Sequence, residues 1–324
     1  MTDSFLLFLI SIAALIVIAI AYFTFKFHRD KKIEKNLWKE YAPRKLDIGS
    51  VDSLSILPLC EYYPASTELQ GEPGVSYLVT AGENKILLDV GYNQGKKHPS
   101  PLLANMEKLK VSFKDLSCIF ITHLHRDHIG GNRNERKKTF SPSAADLDLK
   151  GLRVYTPTEM NHPTASLTQI REPQVLAKGI ATIGPISRAL WLLGLTAEQS
   201  LAVNVEGKGI VLIIGCGHQR IERIIQRTKE LFDIPIYGII GGLHYPVTAS
   251  RMKFNMQRIF GTGKLPWQWI SKEEIKASLS GILKENINII GLSPHDSCDW
   301  SLNLFREKFE DKYIEIKVGK EISI

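Results

Sequence analysis

The sequence predicts an α/β (α+β) domain that follows an N-terminal transmembrane helix. An uncharged apolar run opens the chain, and short apolar segments rich in β-branched residues then alternate with amphipathic stretches. The first pattern is typical of a membrane span, and the second of strands and helices. An apolar content of 44% and 24 glycines suit a folded domain, and 324 residues allow one large domain or two small ones.

The apolar run indicates an uncleaved membrane anchor. Residues 4–25 contain no charge, and at ~1.5 Å per residue they reach about 33 Å, enough for a bilayer core of roughly 30 Å. A cleavable signal peptide would have a basic start and a shorter core, whereas here Asp3 is the only charge before the run. We therefore expect a single-pass anchor over residues 4–27 that binds the lipid bilayer.

A basic segment follows the anchor. Residues 26–45 contain eight Lys or Arg and three acids, a net +5 of the chain's +7. Positive flanks stay on the cytoplasmic side, so the soluble part is predicted to face the cytoplasm. Residues 28–50 form a basic juxtamembrane linker that lies against anionic lipid or forms a solvated helix. Since the charge is local, no nucleic acid is expected as a partner.

A soluble domain is predicted over residues 51–324, and its four cysteines form no Cys-x-x-Cys pair. That spacing argues against a disulfide framework and a cysteine zinc knuckle, and favours a reducing compartment.

The first elements of the domain are strands near 54–59, 74–80 and 85–91, and a helix near 101–110. Asp89 ends a buried strand, where it either caps a turn or orients a ligand histidine.

A motif follows the apolar strand 118–121: His123-x-His125-x-Asp127-His128, then Gly130-Gly131. Side chains alternate along an extended chain, so His123 and His125 point the same way, and a turn brings Asp127 and His128 to face them. Nitrogen and oxygen donors at this spacing suit divalent metal ions of hydrolytic enzymes. A solvated polar loop is the alternative.

Later apolar strands also end at histidines. A hairpin of residues 200–205 and 209–214 leads to Cys216 and His218, and strands near 236–244 and 287–295 end at His244 and His295. Helices are expected at 219–231 and 272–285. We predict that these side chains converge with the motif at one rim of the domain.

These residues resemble the metallo-β-lactamase fold superfamily, whose signature is His-x-His-x-Asp-His. The resemblance covers residues 51–324. The segments Gly215-Cys216-Gly217-His218, Gly241-Gly242-x-His244 and Pro294-His295 are most similar to the branch containing the archaeal dihydropterin–ribofuranosylaminobenzene phosphate synthases.

The resemblance implies a four-layer αββα sandwich with two divalent metal ions at one edge, most readily Zn, with Mn or Fe as alternatives. It assigns His123, His125 and His218 to one ion, and Asp127, His128 and His295 to the other. Cys216 stands where most relatives have a bridging Asp, and it is expected either to support the ligands from behind or to touch the substrate. His244 is a ligand or touches the substrate.

The expected function is metal-assisted hydrolysis of a small molecule with an ester, lactone or phosphoester bond. Asp127 would orient the attacking water, and His244 would donate a proton or a hydrogen bond to the leaving group. The alternatives are a dihydropterin-type transferase and a metal-binding or sensing protein with a degenerate site. The sequence does not define the oligomeric state.

Overall fold

The N-terminal helix extends well beyond the predicted anchor. The computed structural model describes residues 2–249 and 256–324, and α1 runs unbroken over Thr2–Glu40. The predicted boundary between anchor (4–27) and linker (28–50) therefore lies inside one helix. Its first part is long and apolar enough to span a membrane, and the side chains there are exposed. In its second part Phe27, Asp30 and Glu34 are buried against the domain, so that part is not a solvated helix.

The strands and helices of the domain follow the apolar segments of the sequence. The strands are β1 (Leu54–Cys60), β2 (Ser76–Ala81), β3 (Asn84–Leu88), β4 (Cys118–Phe120), β5 (Arg153–Thr156), β6 (Ser166–Gln169), β7 (Gln174–Ala177), β8 (Ile180–Thr182), β9 (Ile186–Leu190), β10 (Gly194–Glu198), β11 (Leu201–Val205), β12 (Gly209–Ile214), β13 (Ile236–Gly241), β14 (Ile289–Leu292) and β15 (Ile322–Ser323). The further helices are α2 (Pro101–Lys108), α3 (Asn132–Lys137), α4 (Ile221–Leu231), α5 (Met256–Phe260), α6 (Lys272–Leu283) and α7 (Asp299–Phe309). Residues 250–255 of the predicted domain lie outside the described residues.

The strands form two mixed sheets and a separate hairpin. One sheet has the order β15-β1-β2-β3-β4-β5-β6, the other has the order β14-β13-β12-β11-β8-β7, and β9 pairs with β10. β12, β13 and β14 are parallel neighbours, so their carboxyl ends lie at the same edge. This alignment brings the segments after those three strands together.

Three apolar layers hold the fold together. Tyr77 and Phe120 of the first sheet meet Val211 and Ile240 of the second between the sheets. A second layer, which includes Met106, packs α2 against the outer face of the first sheet. The third layer packs α4, α6 and α7 against the outer face of the second sheet, through side chains such as Ile224, Leu279 and Phe305. Helices therefore cover both outer faces, which confirms the predicted αββα arrangement.

The β9–β10 hairpin and α7 are among the elements that were not predicted from the sequence. The β9–β10 hairpin pairs Ile186–Leu190 with Gly194–Glu198, and α7 covers residues that follow the last predicted histidine. The hairpin contacts α1, and Trp191 Nε1 donates to Thr24 Oγ1 at 3.2 Å. The hairpin therefore connects the predicted anchor to the domain.

Candidate metal centre

The motif turn follows β4 and is hydrogen-bonded to a buried carboxylate, that of Asp89. Asp89 follows β3, which lies parallel to β4, and its φ of 57° turns it toward the neighbouring strand. Its Oδ1 accepts from the Thr122 backbone N–H at 2.7 Å, and its Oδ2 accepts from Thr122 Oγ1 at 2.6 Å. Asp89 Oδ2 also lies 2.6 Å from His128 Nδ1. Burial opposes a charge on His128, but Asp89 and Asp127 raise its pKa to about 9.

Hydrogen bonds at Nδ1 define how two further histidines are oriented. His123 Nδ1 lies 3.0 Å from Thr122 Oγ1, and His218 Nδ1 lies 2.9 Å from the Gly261 carbonyl. Each Nδ1–H therefore donates, and each Nε2 keeps a free lone pair. Both Nε2 atoms are buried without a hydrogen-bond partner among the residues that the structure describes. These are the atoms that a metal ion would bind.

The predicted side chains of both sheets meet in one place. The His123 ring centroid lies 4.4 Å from that of His125, 4.2 Å from that of His128 and 5.2 Å from that of His218. The centroids of His128 and His295 are 5.3 Å apart. Residues more than 90 positions apart in the chain thus share one cluster, as the strand endings indicate.

Cys216 lies at the centre of this cluster. Its Sγ is 3.1 Å from His128 Nε2 and 3.1 Å from His295 Nε2. Among the described residues, donor atoms within 4.8 Å of one another form three groups, and Cys216 belongs to each: Asp127/His128/Cys216/His295, His123/Cys216/His218 and Cys216/His244/Asp296. Burial raises the pKa of the thiol well above its usual range, and Asp127 and Asp296 raise it further.

His125 and Asp127 occupy the edge of the cluster. His125 is not one of the donors in those groups; its Nε2 lies 3.3 Å from Thr196 Oγ1, and its ring centroid is 4.9 Å from that of His218. The Asp127 side chain is 24% exposed, with Oδ2 3.9 Å from His128 Nε2. Burial opposes ionisation, but His128 and His295 lower the pKa of Asp127, so it carries a charge.

His244 stands on the open side of the cluster, beside His218. Its ring centroid is 4.5 Å from that of His218, and its φ of 53° lies in the left-handed region. Its Nε2 lies 3.2 Å from the Gln257 carbonyl, so Nε2–H donates and Nδ1 is left as a buried acceptor without a partner among the described residues. Burial lowers the pKa of His244 to about 4, which keeps the ring neutral at neutral pH.

Buried carboxylates that sequence reasoning missed hold the loops of the second sheet. Glu198 accepts from the backbone N–H groups of Cys216, Gly217 and His218 at 2.9, 2.8 and 2.8 Å. Burial raises its pKa to about 7. Asp296 accepts from the His244 backbone N–H at 2.9 Å. The sequence signal for Glu198 was the polar run Glu198-Gln199-Ser200 at the junction of two strands.

The donor set fits divalent metal ions. Buried polar atoms are almost always hydrogen-bonded, so the unpartnered Nε2 atoms of His123 and His218 need another partner. Burial and the neighbouring histidines lower the pKa of both rings well below the usual value, which leaves them neutral and able to coordinate. Imidazole, carboxylate and thiol donors are the ligands that zinc accepts.

Comparison with known proteins gives the same fold. The family model described as the metallo-beta-lactamase superfamily matches residues 69–158. The chain is 23% identical over 314 residues to a 7,8-dihydropterin-6-methyl-4-(β-D-ribofuranosyl)-aminobenzene-5'-phosphate synthase of Methanocaldococcus jannaschii, covering 86% of this chain and 99% of that protein.

Two solved structures are also similar to this one. A metal-dependent hydrolase of the β-lactamase superfamily matches with a TM-score of 0.56 and 18% identity, over 84% of this chain and 99% of its own. The metallo-β-lactamase fold protein YhfI from Bacillus subtilis matches with a TM-score of 0.50 and 14% identity, over 84% of this chain and 100% of its own. At these identities the structures show the fold.

Proposed function

We propose that the chain is a membrane-anchored, metal-dependent hydrolase of the metallo-β-lactamase superfamily, which the match to the family model and the shared fold support. Its substrate would be a small molecule with an ester, lactone or phosphoester-type bond. The observation that carries the proposal is the pair of unpartnered, buried Nε2 atoms of His123 and His218 inside a cluster of donor side chains. A purely structural cluster would leave these atoms without compensation for their lost hydration.

Two ions would be shared between the halves of the cluster. His123, His125 and His218 would hold one, and Asp127, His128 and His295 the other. Cys216 Sγ lies within 4.8 Å of donor atoms of both sets. Such a nitrogen-rich set with one sulfur favours Zn over Mn or Fe. When bound, these ions supply Lewis acidity and lower the pKa of water toward neutrality.

The chain's own groups would orient the reacting molecules. The charged Asp127 reaches toward solvent and would accept a hydrogen bond from the attacking water. His244 would hold the substrate through Nδ1. Since its Nε2–H donates to Gln257, Nδ1 would accept a hydrogen bond or a proton from the substrate, and not donate one to the leaving group as the sequence suggested. Neither step needs a serine or cysteine nucleophile.

A transferase is the second candidate. The likeness to the archaeal synthase extends over 99% of that protein's length. A domain of the same extent would have room for the same type of reaction, in which a pterin-type substrate is joined to an aromatic amine. Product analysis with a dihydropterin diphosphate and an aromatic amine distinguishes the two reactions. A joined product with released diphosphate favours the transferase, and the hydrolysed compound alone favours the hydrolase.

We also propose that residues 4–27 cross the bilayer once, with the domain in the cytoplasm. The length and apolarity of α1 and the basic residues after it support this orientation. Alkaline carbonate should leave the protein in the membrane pellet, and protease should cut the domain only when the cytoplasmic face is accessible. Release into the supernatant would contradict the anchor.

The test of the hydrolase is metal content followed by a substrate screen. Full-length protein in phosphatidylcholine nanodiscs should hold about two ions per chain by elemental analysis, and His123→Ala should lower that number. The holoenzyme is then screened against phosphodiesters, lactones, thioesters and dihydropterins. Wild-type protein without bound metal would contradict the proposal and favour a degenerate binding or sensing protein.

A further inference from the structure

A cavity of about 370 Å³ opens beside the candidate metal centre. His218 and His244 line its inner end, and Lys31, Arg188 and Lys264 line its sides. Lys31 belongs to α1, Arg188 to the β9–β10 hairpin, and Lys264 to the segment before α6. The predicted anchor helix therefore contributes to the wall of a cavity that reaches a predicted metal ligand.

The cavity wall has more positive than negative charge. Four of its lining side chains are cations and two are carboxylates: Lys31, Arg188, Arg220 and Lys264 against Glu222 and Glu274. Lys264 pairs with Glu274 at 2.6 Å, and Arg220 lies 3.4 Å from Glu222. Among residues 2–249 and 256–324, no carboxylate oxygen lies within 4.0 Å of Lys31 Nζ. Arg188 is paired with Glu34, which does not line the cavity. Lys31 is therefore the lining cation that no carboxylate compensates, and its charge would attract an anion.

Arg220 stands at an unfavourable position. It is the N-cap of α4, with φ 75° and ψ 133°, and its side chain makes no capping hydrogen bond. A cation at the positive end of a helix is destabilising, and a left-handed backbone adds strain for a residue with a Cβ. His244 lines the same cavity, and its buried Nδ1 has no hydrogen-bond partner among the described residues. A bound anionic group would compensate the charge of Arg220 at the start of the helix, and a hydroxyl on that group would donate a hydrogen bond to His244 Nδ1.

The position of Lys31 is determined by how α1 docks. Glu34, one turn further along α1, lies 3.0 Å from Arg188 Nη1 and 2.8 Å from Arg223 Nη1, and it accepts from the Ala189 backbone N–H at 2.9 Å. Trp38 then stacks against Arg223, whose guanidinium lies 5.1 Å from the ring centroid. These contacts fix the helix on the domain, so Lys31 belongs to the cavity wall and is not on a mobile linker.

The same helix places the cavity close to the bilayer surface. Phe25 is the last residue of the apolar run, and Lys31 lies six positions further along the helix, a rise of about 9 Å. This distance is comparable with the Debye length of ~8–10 Å at physiological salt. The cavity mouth would thus lie at the level of lipid headgroups when residues 4–27 span the membrane.

We propose that this cavity is the subsite for an anionic phosphate group of the substrate, and that Lys31 of α1 completes it. This inference rests on the proposed function, because the subsite would hold the substrate against the metal centre. Arg220 and Lys31 would bind the phosphate oxygens, and His244 Nδ1 would accept from a hydroxyl beside them. The phosphate could belong to a lipid headgroup or to a soluble molecule, since both reach the same mouth.

The test measures binding of inorganic phosphate by calorimetry to the full-length holoenzyme in phosphatidylcholine nanodiscs. Lys31→Met and Arg220→Met should each weaken binding about fivefold to tenfold, because each removes a charge-assisted hydrogen bond. Lys31→Arg should restore most of the affinity. Lys32→Met is the matched control, since Lys32 is exposed on the same helix and does not line the cavity. Metal content is measured in every variant.

Equal affinities in the wild type, Lys31→Met and Arg220→Met would overturn the subsite, as would a wild type that binds no phosphate. If Arg220→Met loses metal or unfolds, the comparison of Lys31→Met with Lys31→Arg still shows whether phosphate binding depends on the charge at position 31. Failure of the proposed function gives a different result: the wild type then holds no metal, whereas phosphate binding still depends on Lys31.

A second arm identifies the source of the phosphate. The binding measurement is repeated in nanodiscs that contain phosphatidic acid. If the lipid headgroup occupies the subsite, it competes with inorganic phosphate and lowers the affinity of the wild type more than that of Lys31→Met. A soluble substrate is indicated if phosphatidic acid changes both affinities equally. Either result supports the anion subsite, because in both the affinity depends on Lys31.

Discussion

The two halves of the candidate centre reach the same place by different means. The half on the first sheet takes His123, His125, Asp127 and His128 from six consecutive residues after β4. The half on the second sheet takes Cys216, His218 and His295 from the ends of strands that are far apart in the chain. The first half depends mainly on one turn, whereas the second depends on the parallel alignment of β12, β13 and β14.

Each half has its own buried carboxylate. Asp89 contacts the imidazole of His128 directly, at 2.6 Å. In the part of the chain that the structure describes, Glu198 makes no hydrogen bond to a ligand side chain, but it accepts from the three backbone N–H groups of residues 216–218. One carboxylate thus orients a side chain and the other holds a loop, so their removal should have different consequences.

The largest effect is expected from removing one ligand in each half. His128→Ala and His295→Ala should each lower hydrolysis of a substrate found in the screen by at least ~10³-fold, since both would serve the same ion and act as a unit. Elemental analysis should show a similar loss of metal in both. The exposed His28 gives the control, because His28→Ala should keep both metal and activity. Full activity in His295→Ala alone would show that the second half is not part of the centre.

Glu198→Ala should destabilise the second half. It leaves three buried N–H groups without an acceptor, at about 1 kcal/mol or more each, so we expect a loss of about 3 kcal/mol in the free energy of unfolding. Chemical denaturation of the full-length protein in detergent measures this loss in the free energy of unfolding. Glu206→Ala, in the exposed turn between β11 and β12, should change stability by less than ~0.5 kcal/mol. If the two variants were equally stable, Glu198 would not hold the loop.

Local patterns explain what could be predicted from the sequence. The motif 123–128 is contiguous, and apolar strands that end at His218, His244 and His295 indicate convergence because parallel strands end at one edge. Glu198 could not be assigned in this way. It is the last residue of β10, a strand of mixed polarity, and only the tertiary approach of residues 216–218 gives it a role.

The docking of α1 was also missed, although a signal existed. Phe27, Asp30 and Glu34 are buried, and Trp38 is half-buried. Their spacing of three or four residues places them along one face of a helix. Two of the four are acids, so a search for an apolar stripe does not find them. Glu34 is buried only because Arg188 and Arg223 come from distant elements to pair with it.

A smaller effect is expected in the first half. Asp89→Asn keeps the shape of the side chain but removes the charge that faces His128 Nδ1–H, so metal affinity should fall about 10-fold to 100-fold. Competition with a chelator of known affinity measures it on the full-length protein. Asp115→Asn is the control, since Asp115 is exposed on the short helical turn before β4. Unchanged metal affinity together with lower stability would instead restrict Asp89 to capping the turn at Thr122, the alternative that the sequence left open.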